Sequence, residues 1–106
     1  MAYRFSTKAI KELEDKKLVE KRHNNLENYE LIIDSDIEVG SQSLEISLWR
    51  DGSICVRGVY NSIDLNVCLE KNRIVGTGAR RYKDTIKEGI KIFKEKYKEV
   101  ISYMEG

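Results

Sequence analysis

The sequence predicts an α+β domain: an N-terminal helix, an antiparallel β-meander of four to five strands, and a long C-terminal amphipathic helix packed on one sheet face. Two patterns predict it. Between Tyr29 and Val75, apolar residues alternate with polar ones in short runs separated by tight-turn pairs, the period of half-buried strands. From Gly78 to Glu105, Tyr82, Ile86, Ile90, Phe93, Tyr97, Val100, Ile101 and Met104 recur at three- and four-residue steps, the period of one helix face. With 106 residues and no proline, low-complexity run or linker, residues 1–106 form one domain with a single core.

The first helix starts at Ser6 or Thr7, either of which can cap it, and runs through Ala9, Ile10 and Leu13. Its pattern is clean over residues 7–17 and blurs at Leu18 and Val19. Asn24-Asn25 breaks the chain before Tyr29-Glu30-Leu31-Ile32-Ile33, a β-branched and aromatic strand. Asp34-Ser35-Asp36 bends or bulges that strand before Ile37-Glu38-Val39, and Gly40-Ser41-Gln42 turns it.

Three tight turns then set the register. Arg50-Asp51-Gly52 suits a three-residue loop with the glycine left-handed, which places Leu48 opposite Ile54, Ile46 opposite Val56 and Glu45 opposite Arg57. A two-residue loop would put Ile46 opposite Arg57, mixing apolar and charged faces. Asn61-Ser62 as a two-residue loop sets Val56 opposite Val67 and Cys55 opposite Cys68. A turn at Lys71-Asn72 sets Leu69 opposite Ile74. One face thus collects Leu44, Ile46, Leu48, Ile54, Val56, Leu65, Val67, Leu69 and Ile74, which the long helix must cover. Gly58 and Gly89 lie on the two facing surfaces, where either a close backbone approach or a neighbour's bulk accounts for a missing side chain. The other face carries Glu45, Trp49, Cys55, Arg57, Val59, Cys68 and Val75. It admits two uses: cover by the first helix, or a dimer or partner surface.

Charge is unevenly spread. Net charge is +1, but residues 1–23 carry 7 Lys/Arg against 4 Asp/Glu, residues 24–70 carry 2 against 9, and residues 71–106 carry 10 against 5. No apolar run is long enough for a membrane span, and the N-terminal residues lack the apolar segment of a signal peptide. A cytoplasmic location follows as the expectation, and with it reduced cysteines.

Few residues suggest chemistry. His23, the one histidine, sits in a polar segment with no second base to orient it. Cys55 and Cys68 lack metal-site spacing and read as free thiols. Asp34, Asp36, Glu38 and Glu45 fall at carboxylate steps of a calcium loop, yet Val39 stands where such a loop needs glycine. No cofactor is expected, and a non-enzymatic role follows.

Two stretches suggest binding. Ile74-Val75-Gly76-Thr77-Gly78-Ala79-Arg80-Arg81 is strand, glycine turn and helix start, a generic anion site without the lysine of a phosphate-binding loop. Its Gly76-Thr77-Gly78 and Arg80-Arg81 resemble the end of a double-stranded RNA-binding domain, in which a helix, a meander and a basic-opening helix follow one another. The resemblance covers about 35 residues, the last third of the chain. Here the glycine-to-basic spacing is one residue shorter, strands are added, and the Ala-rich continuation of the last helix is missing. The second stretch is a cation stripe of Arg80, Lys83, Lys87, Lys91, Lys94 and Lys98 beside an acid stripe of Asp84, Glu88, Glu95 and Glu99. Local pairs such as Asp84–Lys87 and Lys91–Glu95 are expected to neutralise much of it.

The favoured expectation is a protein-binding module, an inhibitor or adaptor that occupies a partner surface, for example a phage-type inhibitor of a nucleic-acid-handling enzyme. Its contact residues would be Trp49, Glu45, Arg57, Asp34, Asp36 and Glu38, with Tyr29 and Tyr103 as further aromatic anchors and a homodimer as another use of the same face. The alternative is nucleic-acid or nucleotide binding through Arg80, Arg81, Lys83, Lys87, Lys91 and Lys94.

Overall fold

The computed structural model describes residues 4–20, 28–70 and 73–104, and structural statements below concern these. His23 and the Asn24-Asn25 break lie outside them, as does the Lys71-Asn72 turn. The order is α1 (Thr7–Asp15), β1 (Glu30–Val39), β2 (Gln42–Trp49), β3 (Ile54–Tyr60), β4 (Ile63–Glu70), β5 (Arg73–Thr77), α2 (Lys83–Lys96) and α3 (Lys98–Ile101). The five strands form one antiparallel sheet in chain order.

The turns act as their residues require. Gly52 is left-handed at φ 92°, and Trp49 N–H donates across the loop to Ser53 C=O at 2.9 Å. Asn61 and Ser62 both have positive φ, the geometry a two-residue hairpin needs to match strand twist. The resulting pairs are those expected: Leu48 with Ile54, Ile46 with Val56, Cys55 with Cys68, and Leu69 with Ile74. In β1 the register shifts between Asp34 and Ile37, so Asp34-Ser35-Asp36 is a bulge within one strand.

Packing is one-sided. Leu44, Ile46, Leu48, Ile54, Val56, Leu65 and Val67 are buried beneath Ile86, Ile90, Phe93 and Val100 of the C-terminal helices. A side chain at Gly89 would meet Leu44 Cδ1 at 3.2 Å and Ile46 Cδ1 at 3.4 Å, so its glycine lets α2 sit close to the sheet. Ser6 caps α1 by accepting the Ala9 N–H, and Phe5, Ile10 and Leu13 join the same core. Arg50 ties the start of α1 to the end of β2 through Thr7 Oγ1, and Lys16 donates to the Tyr103 hydroxyl beyond α3. The first helix therefore shares the covered side with α2. The second sheet face stays open, with Arg57, Val59, Asp64, Asn66 and Val75 exposed.

Three expectations need correction. The C-terminal helix does not start at Gly78. Gly76 and Gly78 hold positive φ, and a turn runs to Tyr82 before α2 begins at Lys83. It is also broken at Tyr97, whose φ of −110° and ψ of 33° separate α2 from α3. Finally, Cys55 and Cys68 are not free thiols but a disulfide. Counting from the two-residue turn makes them a non-hydrogen-bonded cross-strand pair, the kind whose side chains stand closest, and their Cα atoms lie 4.0 Å apart.

Candidate functional site

A five-stranded sheet is about 19 Å wide at the usual strand spacing, whereas one helix covers about 10 Å. Accordingly α2 packs over β1, β2 and β3 and leaves β4 and β5 partly bare on the covered side. Between its flank and β5 lies a groove of about 750 Å³. The floor is apolar: Leu69, Ile74, Ala79 and Ile90. The walls are cationic. Lys83, Lys87, Lys91 and Lys94 come from one side of α2, Arg80 from the turn before it, and Arg73 from β5, with Glu95 the acid among the lining residues.

The placement follows from periodicity. Ile86, Gly89, Ile90 and Phe93 turn to the sheet, so the lysine stripe about a quarter turn away can only face along the sheet, toward β5. Gly76 fixes the other wall. A Cβ there would lie 2.2 Å from the Asn66 carbonyl oxygen, so only glycine lets β5 pair closely with β4 before the chain crosses to α2. The anticipated neutralising pairs do not form: among the described residues, none of the six groove cations is in an ion pair, and Asp84, Glu88 and Glu95 pair with none of them. Lys83 opens α2, where the helix dipole is positive and disfavours a cation.

Five of the six cations expected as an anion site thus line one groove. The sixth, Arg81, stacks over the Tyr82 ring and lines an adjoining hollow that shares Ile74, Ala79 and Arg80 with the groove. Arg73 was not singled out from sequence, since its role depends on β5 lying opposite the lysine flank.

The expected acidic contact set is dispersed. Asp36 and Glu38 are exposed on β1, while Glu45 and Trp49 are half-buried on β2, and the Trp49 indole N–H donates to Ser47 Oγ at 3.3 Å. Arg57 is exposed opposite Glu45. Val59 and Val75 are exposed on the open face, but the Arg57–Asn66–Thr77 row runs between them, so they form no continuous apolar patch. Tyr29 is buried and offers no surface anchor.

Asp34 is not a surface acid. It is 6% exposed, and its carboxylate accepts from Lys96 Nζ at 2.6 Å, from the Tyr97 hydroxyl, and from the Asp36 N–H at 2.8 Å. Burial pushes its pKa up, yet the Lys96 ammonium, the Tyr97 hydroxyl and the Asp36 N–H together outweigh burial and hold it below the usual carboxylate range. Burial first, and the Asp34 carboxylate second, push the Tyr97 phenol above its usual value. Asp34 and Glu38 therefore sit on a strand and are not gathered into a calcium loop. Among the described residues no group of three or more His, Cys, Asp or Glu could hold a metal ion, and no helix is long and apolar enough to cross a membrane.

Compared with protein-family models, curated proteins and solved structures, the chain matches none of them.

Proposed function

We propose that the protein is a binding module for an anionic ligand, held in the groove between α2 and β5. One observation carries this reading: Lys83, Lys87, Lys91, Lys94 and Arg80, with Arg73 at the β5 edge opposite Glu70, line one apolar-floored groove, and among the described residues none of these cations is in an ion pair. Like charges gathered within a Debye length of about 10 Å repel, and an anion placed among them relieves that repulsion. A protein partner stays the favoured ligand class, in keeping with an inhibitor or adaptor, but through the basic groove instead of the acidic strands. Nucleic acid would use the same cations and is the other arm of the test.

The test compares wild type with Lys83→Glu/Lys87→Glu, using fluorescence anisotropy of a labelled oligoglutamate and a labelled oligouridylate at low salt. Acidic residues suit the first turns of a helix, so this variant keeps α2 intact, which circular dichroism checks. Wild type is expected to bind at least one probe, and the variant to bind it about tenfold or more weakly, equivalent to about 1.4 kcal/mol. If the probe is the oligouridylate, losing two phosphate contacts flattens the log–log salt slope by about 1.4. Equal binding by both proteins, or none by wild type, overturns the reading.

A further inference from the structure

Resting on that reading, we infer that the natural occupant of the groove is an acidic, amphipathic helical segment of a partner protein, laid beside α2 over β4 and β5. Three features of the groove select this occupant over a nucleic acid strand. First, the floor is aliphatic. Leu69, Ile74 and Ala79 are half-buried rather than fully covered, and no aromatic ring lies among the lining residues. Proteins that hold single strands without sequence preference rely on aromatic platforms for the bases, and this groove has none to offer. An aliphatic floor instead takes leucine- or isoleucine-like side chains spaced along one helix face.

Second, the groove has room beside α2. Leu65 and Val67 of β4 are already buried, but Leu69 and Ile74 are half-buried, and a helix packed the usual distance of about 8–10 Å from α2 would lie over them. The incoming helix would complete the layer that α2 begins, burying Leu69 and Ile74 against its apolar stripe. Third, the charges sit at the correct height. Lys83, Lys87, Lys91 and Lys94 line the α2 wall at four-, four- and three-residue steps, about 4.5–6 Å apart along the axis. A neighbouring helix with Glu or Asp at three- and four-residue steps presents carboxylates at that repeat. Arg73 and Arg80 supply cations beyond the α2 stripe. Apolar stripe inward and acids along the flanks is the complement of this groove, and a basic or neutral helix would meet the lysine wall at a loss.

The experiment is a peptide-display selection on the immobilised full chain, with Lys83→Glu/Lys87→Glu as a parallel target. Peptides enriched on wild type are expected to carry net negative charge and apolar residues at three- and four-residue spacing. Resynthesised, the leading peptide should bind wild type at least tenfold more tightly than the variant, and at least tenfold more tightly than its own scrambled sequence. Enrichment without acidic bias or without helical spacing overturns the inference. So does equal binding of the scrambled peptide, which would reduce the interaction to bulk charge. If the oligouridylate responds to the charge reversal while no acidic peptide is enriched, the groove stands as an anion site and only the peptide occupant falls. If no probe responds to the reversal, both readings fall.

Discussion

The buried carboxylate of Asp34 joins residues far apart in the chain. It accepts from Lys96 and Tyr97 at the end of α2, and the helix breaks at Tyr97, where the hydroxyl is tied down. Because its folded pKa lies below the unfolded value of about 3.9, Asp34 contributes stability above that pH, which is lost as pH falls through the lower folded value. Tyr97 and Lys96 are shifted upward, so their contributions hold below about pH 10 and fade as pH rises through their folded values. Denaturant titrations should therefore show a plateau between these limits, with a shallower acid limb in Asp34→Asn. Tyr97→Phe removes one hydrogen bond to a charged acceptor and should cost about 1.5–3 kcal/mol at neutral pH by urea unfolding. The Lys96 arm contributes less, since that side chain is half exposed. None of this was legible in sequence, where Asp34 reads as one more acid in an acidic strand and its side-chain partners Lys96 and Tyr97 stand more than sixty positions away.

At the scale of elements, strand pairing was legible because each turn has residues that permit only certain geometries. Gly52 marked the three-residue loop, and Asn61-Ser62 the hairpin, so pairs such as Ile46 with Val56 followed by counting. Where a helix begins was less legible. The apolar period extends back to Tyr82, but Gly76 and Gly78 hold conformations that a helix does not use, and periodicity alone does not report them. Gly76→Ala should push β5 off β4, since its Cβ would collide with the Asn66 backbone. A loss above about 2 kcal/mol is expected from the strain and lost pairing, together with weaker anion binding as the Arg73 wall moves. The register also places Cys55 opposite Cys68, neighbours that a cytoplasmic location would leave as two thiols and that the structure joins as a disulfide. Thiol titration of protein purified without reductant should find neither cysteine free. Reduction should lower stability by about 2–3 kcal/mol for a bridge spanning 13 residues.

At the scale of the molecule, the sheet has one covered and one open face, and the covered face is left half-buried beside α2 at Leu69 and Ile74. The lysine stripe of α2 was visible in the sequence, whereas its meaning depended on which flank abuts β5. Read along the helix alone, Lys87 and Lys91 have acids within reach and look neutralised; in the fold they stand on the groove wall and pair with none of them. The acidic set did not gather in the same way, because alternation with Ile32 turns Asp34 inward, and the bulge after it brings Ile37 inward and leaves Asp36 and Glu38 as separate exposed acids. The measurement that bears most directly on the groove as the binding surface is a heteronuclear NMR titration of the full chain with oligoglutamate. Amide shifts are expected to concentrate at Leu69, Arg73, Ile74, Lys87, Ile90 and Lys91. Shifts concentrated instead at Asp36, Glu38, Trp49 and Arg57, with the groove silent, would contradict that expectation.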